Sequence, residues 1–284
     1  AEDEWALRDN LRLTLGGRYE DHSAFGGHFT PRAYIVWNTT DQWTLKTGVS
    51  TGYKVPTPNA LHNGVTGFTA QGASVTLGSP NLKPEETTNY EVSVNYNNQQ
   101  NLTVTATAFF NEFKNKFASG QSVPNCLYSD ASTPLNRPGC MTVGNFSAQS
   151  DFSQQINLDK AESRGFELTT NYQFTDSLSA KATYTWMDTE IKSGADAGTY
   201  LVNNPKNQLT ATTTWKLTDK FNTWLEAEYK SDRKRFAAAP TAGQNLAIYN
   251  ATDNLLKGYN VFNLGASYRL QENLRLTAVV YNLL

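Results

Sequence analysis

The feature that most limits what this chain can fold into is an alternation of apolar and polar side chains with period two. It recurs in run after run along the sequence. Leu11, Leu13 and Leu15 alternate with Arg12, Thr14 and Gly16, and Trp43, Leu45 and Val49 alternate with Thr44, Lys46 and Ser50. Val92, Val94 and Tyr96 alternate with Ser93 and Asn95, and Leu102, Val104, Ala106, Ala108 and Phe110 stand opposite Thr103, Thr105 and Thr107. The same pattern returns at Phe166, Leu168, Tyr172 and Phe174, then at Leu178, Ala180, Ala182, Tyr184 and Trp186. Leu209, Ala211 and Trp215 continue it, followed by Phe221, Leu225 and Tyr229, then Phe262, Leu264 and Tyr268, then Leu274, Leu276 and Val280. A helix would repeat its apolar residues at spacings of three and four, and these runs do not. Each run is therefore expected to be a strand with one apolar and one polar face.

The connections are as informative as the strands. Short polar linkers fall at 8–10, 38–41, 97–100, 175–177, 218–220 and 271–273, while much longer segments fall at 21–28, 55–84, 118–155, 192–204 and 236–258. Strict alternation of short and long connections in an up-and-down sheet places all short turns at one rim and all long loops at the other. A membrane-spanning barrel with short periplasmic turns and long extracellular loops has this arrangement, whereas a sandwich or propeller has no physical reason for it. The expected fold is all-β: a transmembrane antiparallel up-and-down β-barrel, of which residues 1–284 supply about twelve strands as one domain. The runs 102–117 and 221–236 exceed the roughly 9–11 residues that cross a bilayer, so they are expected to project beyond it on the long-loop side.

Composition separates this reading from its rivals. Only 18% of residues are charged and 39% are hydrophobic, yet 12% are aromatic. Disordered chains lack aromatic residues, and soluble domains carry more charge and more core. A wall that is apolar outside and polar inside averages to this mixture. No run approaches the ~18 apolar residues of a membrane helix. Trp5, Trp37, Trp43, Tyr96, Tyr172, Phe174, Trp215, Phe221 and Tyr268 gather beside the short linkers, as an interfacial aromatic girdle would. A net charge of −2 gives no basic footprint for a nucleic-acid partner. The alternation is already running at both ends and Ala1 to Glu4 show no leader pattern, so a piece of a longer polypeptide is expected.

Catalysis finds little support. His22, His28 and His62 lack metal-ligand spacing, and neither a nucleophile elbow nor a phosphate-binding glycine loop is present; no catalytic residue and no metal ligand is expected. Cys126 and Cys140 share one polar, Pro-rich segment without further ligands, so they are expected to form a disulfide in an oxidising compartment.

Specific words stand within the pattern. Gly52-Tyr53-Lys54-Val55-Pro56 is followed across a loop by Leu77-Gly78-Ser79-Pro80-Asn81-Leu82-Lys83-Pro84-Glu85. Pro31-Arg32-Ala33-Tyr34 precedes them, with Ala1-Glu2-Asp3-Glu4-Trp5 before it; Arg164-Gly165-Phe166-Glu167 and Tyr281-Asn282-Leu283-Leu284 follow. In this order the words resemble the C-terminal part of the barrel of TonB-dependent outer-membrane receptors, in the ferric-catecholate branch that includes enterobactin and colicin I receptors. The resemblance covers essentially the whole chain, and Asn81-Leu82-Lys83-Pro84-Glu85 is its most specific part. Read physically, Pro56 and Pro58 end a strand, and Pro80 and Pro84 bracket a rigid turn before the next one.

The resemblance implies a barrel of about 22 strands around an N-terminal plug, with a TonB-engaging segment outside this stretch, in the bacterial outer membrane. It implies active import of an anionic ferric siderophore, bound as ligand, with no covalent cofactor and no iron ligand from the protein. A passive porin-like channel and import of haem or cobalamin are the alternatives, and an adhesin is a third class. Implied partners are the siderophore, TonB, outer-membrane lipid and lipopolysaccharide, with colicins or phage as further users of the loops. An anionic aromatic ligand calls for cations and aromatic rings at the mouth. The loops offer Lys54, Phe68, Tyr128, Arg137 and Tyr249, together with the run Arg233, Lys234 and Arg235, which could equally hold lipopolysaccharide.

Overall fold

The computed structural model describes residues 1–69, 74–119, 122–194, 196–236, 239 and 243–283. The chain runs through β1 (Glu2–Arg8), β2 (Leu11–His22), β3 (Gly26–Asn38), β4 (Trp43–Lys54), β5 (Val65–Thr69), β6 (Ser74–Leu77), β7 (Glu85–Asn97), β8 (Leu102–Ser119) and β9 (Val123–Pro124). It continues through β10 (Asp151–Thr175), β11 (Leu178–Ile191), β12 (Asn207–Lys216), β13 (Phe221–Lys230), β14 (Arg233–Lys234), α1 (Gly243–Thr252), β15 (Leu255–Leu256), β16 (Tyr259–Gln271) and β17 (Leu274–Val280). Twelve of these strands form one antiparallel meander in the order β1-β2-β3-β4-β7-β8-β10-β11-β12-β13-β16-β17. The sheet is open, with β1 and β17 as its edges.

Register turns the sequence alternation into two faces. One cross-strand row joins Trp5, Leu13, Ile35, Thr47, Val92, Ala108, Phe166 and Trp186; the next joins Trp37, Leu45, Val94, Ala106, Leu168, Tyr184, Leu209 and Tyr229. Side chains on this face stay exposed, Leu168 by 39% and Leu225 by 46%, although they are apolar. A single-layer sheet cannot bury such a face against itself, so lipid covers it. From Phe174 to Arg164 on β10 is roughly 34 Å of strand, or roughly 24 Å along the membrane normal at 45° tilt, which matches the ~25 Å apolar band of an outer-membrane barrel. Trp43 lies tilted against Tyr96 (4.7 Å between ring centroids), Tyr172 meets Phe174 (4.7 Å), and Phe221 lies beside Tyr268 (6.5 Å), all at the short-turn rim.

The opposite face is a polar ladder. Thr107 bonds Ser93 (2.9 Å), Asn95 bonds Thr105 (2.8 Å), Asn111 bonds Ser163 (2.9 Å), Thr169 meets Thr183 (3.2 Å), and the Asn263 amide donates to Glu226 (2.9 Å). Arg12 pairs with Glu4 (3.1 Å) and Arg32 with Glu2 on the same side. These groups would be costly in hydrocarbon, which assigns them to a wet interior.

Three expected boundaries move. The segment 21–28 is a tight hairpin: His22 pairs Gly26 across a three-residue turn, and Gly26 sits at φ 72, where a residue without a Cβ closes the turn without strain. Residues 151–155 belong to β10, which reaches 25 residues because β6 and β9 both pair with its start. The run 221–236 is not one strand. β13 ends at Lys230, the Asp232 carboxylate accepts from the Gly258 N–H (2.5 Å), and Arg233 and Lys234 pair instead with Leu256 and Leu255.

Candidate functional site

Above the wall, at the long-loop rim, two connections fold into one small body. The connection after β4 makes the hairpin β5–β6, and β6 lies parallel to the first residues of β10. Val75, Leu77 and Phe152 are fully buried there, packed by Val65, Val123, Met141, Val143 and Phe146. This cap has a hydrophobic core of its own.

The cap is fastened through the words singled out in the sequence. Leu82 is buried, and the Lys83 backbone is clamped at both ends by the Asn157 side chain (2.8 and 2.9 Å), which also donates to the Asn115 carbonyl (2.7 Å). Ser79 donates to the Gln155 carbonyl, and Gln154 to the Gly78 carbonyl (2.7 Å). Glu85 accepts from the Phe117 N–H (2.8 Å) and faces Lys116 (3.8 Å). A Cβ on Gly78 would collide with the His62 backbone, so this position takes only glycine without rearrangement. The Asn-Leu-Lys-Pro-Glu word thus anchors a loop to the wall.

The second half of the cap is closed by the Cys126–Cys140 disulfide, whose Cα atoms are 5.0 Å apart. Asn125, 1% exposed, sits at its base: its amide donates to the Phe146 and Gln149 carbonyls (2.8 Å each), and its side-chain oxygen accepts from the Leu127 N–H (3.0 Å). Nothing in the sequence distinguished Asn125 or Phe152 from their neighbours, because a lone Asn or Phe in a loop carries no periodicity.

The expected ligand residues fall into two clusters. In the first, Phe68 is 58% exposed on the hairpin, 5.9 Å from the Phe146 ring, and Lys54 extends over Phe117 (5.6 Å) at the top of β4. Tyr128 donates to Asp130 (2.7 Å). That bond, with further donation from the Ser132 N–H and hydroxyl, holds the Asp130 carboxyl well below the usual carboxylate range and raises the Tyr128 phenol. Arg137 turns inward: it donates to the Ser150 carbonyl (2.5 Å) and lies 3.9 Å from Asp151, so it ties its own loop closed.

In the second cluster, Arg233 and Lys234 are half-buried in the short β14–β15 ladder. Arg235 is exposed, with its guanidinium 5.6 Å over the Phe236 ring, and Tyr249 on α1 approaches the same ring (6.3 Å). The Lys234 carbonyl accepts from the Asn203 N–H (2.9 Å), which joins this cluster to the 192–206 connection. Among the described residues, none of these three cations has a carboxylate within ion-pair distance.

An open antiparallel meander with a lipid-facing band, a polar inner face and a capped rim defines a segment of outer-membrane β-barrel. A family model described as "TonB dependent receptor-like, beta-barrel" matches residues 1–283, and the chain belongs to that family. The iron-regulated outer membrane virulence protein of Vibrio cholerae is 33% identical over 99% of this chain and 39% of its own length. The ferric enterobactin receptor of Pseudomonas aeruginosa is 28% identical over 100% of the chain and 36% of its own length. A crystal structure of a mutant of the ferric enterobactin receptor PfeA from that organism superposes with a TM-score of 0.72 at 25% identity, covering 99% of this chain and 38% of that one. The chain thus spans under two-fifths of these curated relatives, and it lies in the outer membrane.

Proposed function

We propose that this chain forms the wall and outer loops of a receptor that imports an anionic ferric siderophore of the catecholate class, with energy from TonB. The observation that carries this reading is the second cluster: three cations without carboxylate partners, beside two aromatic rings, at the rim where the long connections gather. Cations raise the local concentration of a multiply charged anion, and rings beside them suit the aromatic groups of a catecholate. The long-loop rim then faces the outside of the cell, and Phe68 and Lys54 extend the same mouth. The relatives named as ferric enterobactin receptors support the substrate class. Plug and TonB-contacting segment belong to parts of the protein outside these residues, and the step performed here is binding, not covalent chemistry.

The test is uptake of radiolabelled iron as ferric enterobactin by cells carrying the full-length receptor. Replacing Arg233, Lys234 and Arg235 together by serine is expected to weaken binding at least tenfold and to steepen no other substrate's uptake. Unchanged affinity would remove the mouth assignment. Uptake of cobalamin instead of iron would redirect the reading, since a vitamin B12 transporter of Photobacterium profundum is also 25% identical over 100% of the chain. Uptake that persists without TonB would point to a passive channel.

A further inference from the structure

The turn that leads into the cap holds a reactive pair of residues. Asn63-Gly64 is the one Asn-Gly step in the sequence, and it lies where the 55–84 connection enters β5. Backbone geometry fixes the second residue. Gly64 sits at φ 151, which side chains rarely tolerate, and a Cβ there would stand 3.1 Å from the His62 Nε2. The fold therefore needs glycine after Asn63, and glycine leaves the amide nitrogen that follows the asparagine unshielded.

Asn63 itself is exposed. Among the described residues nothing holds its side-chain amide. Other asparagines of the cap are tied down. The Asn59 amide donates to the Thr66 carbonyl (3.3 Å), the Asn125 amide to the Phe146 and Gln149 carbonyls (2.8 Å each), and Asn157 is clamped on Lys83. The Gly64 N–H donates to the His62 carbonyl two residues back (3.1 Å), a turn bond whose opening leaves the buried core in place.

The same turn is a joint. The Gly64 carbonyl accepts from the Gly78 N–H (3.0 Å) and the Ala60 carbonyl from the Ser79 N–H (2.6 Å). Val65 faces Leu77 as the first pair of the β5–β6 hairpin. Leu77 belongs to the cap core, and Ser79 begins the anchor to β10.

We infer that Asn63 is a self-modification site, at which the Gly64 amide nitrogen attacks the Asn63 side-chain carbonyl and converts the residue to aspartate and isoaspartate. The new bond joins the Gly64 nitrogen to the Asn63 Cγ. The bond from Cγ to the side-chain nitrogen breaks, and ammonia leaves with the Gly64 amide proton. Water then opens the five-membered imide at either carbonyl, so water is the single co-reactant. Opening at the side-chain carbonyl gives aspartate, which adds a negative charge to the turn. Opening at the main-chain carbonyl gives isoaspartate, which also lengthens the backbone by one methylene between His62 and Gly64. That added length pulls Gly64 away from Gly78, so the hydrogen bonds of the β5–β6 hairpin open more often. The inference concerns the cap and does not depend on the siderophore reading.

The test ages full-length receptor in detergent micelles at mildly alkaline pH and maps its peptides by mass spectrometry. Labelling by isoaspartyl methyltransferase is the second readout. Asn63 is expected to gain about one dalton, at least tenfold faster than Asn59 or Asn136, which precede Ala60 and Arg137. Hydrogen exchange in β5 and β6 should rise with the converted fraction, while β16 and β17 hold. Asn63→Gln, whose longer side chain disfavours ring closure, should keep its β-sheet spectrum, take no label at this turn and show unchanged exchange on ageing. Conversion at Asn63 no faster than at Asn59 and Asn136 would overturn the proposal. So would a rise in β5–β6 exchange that is as large in aged Asn63→Gln protein, or complete conversion that leaves that exchange unchanged.

Discussion

In the wall, Leu168, Leu225 and Leu276 remain exposed by 39%, 46% and 54%, while in the cap Val75, Leu77 and Phe152 are exposed by 2% or less. The same residue types thus serve opposite ends. Wall leucines contribute only when lipid replaces water on their face, and the backbone ladder holds the strands together meanwhile. Cap residues exclude water among themselves, as in a soluble domain, with a disulfide and a buried Asn as fasteners. One chain therefore contains a part whose solvent is the bilayer and a part whose solvent is water, and the boundary passes near the row of Phe110 and Arg164.

That contrast can be broken at either end. The largest effect is expected for Phe152→Ala, which should cost the cap about 3–5 kcal/mol. Hydrogen exchange in 55–84 and 122–150 should rise steeply while the thermal transition of the wall holds. A fall in the wall transition of the same size would mean that the two parts are one cooperative unit. Leu168→Arg addresses the other side: a cation in the middle of the lipid face should destabilise the barrel by about 2–4 kcal/mol in lipid vesicles. Thr169→Arg, one residue on and facing inward, should cost far less. Equal costs would refute the assignment of faces.

Removing the disulfide with Cys126→Ser/Cys140→Ser comes next. Its loop spans a separation of 14 residues, for which chain entropy gives about 3 kcal/mol. Protease cleavage within 126–140 should appear, with the wall intact. The smallest effect is a titration. Tyr128 donates to Asp130, which raises the phenol, so Asp130→Asn should return its titration toward the ordinary tyrosine value. The sign follows from the shifts: the bond supports the loop below the ordinary phenol range and is lost as pH rises through the raised value. For Asp130 the support is present above the ordinary carboxylate range and is lost as pH falls toward its lowered value. A Tyr128 signal that does not move in the variant would show that the bond is not formed in solution.

The wall was legible because period two is a property of each strand by itself. Strand number, the short-turn positions and the aromatic rim all follow from it. The differences lie in the connections, where partners and turn closure are set outside the period-two pattern. Residues 151–155 read as loop because their pattern is broken by Gln154 and Gln155, yet β6 and β9 capture them. The 21–28 segment looked long because its polar residues hid a glycine that closes it in three. Arg233, Lys234 and Arg235 continued the β13 pattern on paper, but Asp232 and Gly258 end the strand before them. Arg137, expected at the ligand mouth, spends its hydrogen bond on Ser150.

By itself the sequence determined the two-faced wall, because the choice between lipid and lumen is made residue by residue through alternation and needs no distant contact. Only the tertiary structure decided the cap and the inward turn of Arg137. The cap joins residues tens of positions apart and Arg137 reaches Ser150 across 13, and no local period records which loops will share a core or where a loop cation will turn.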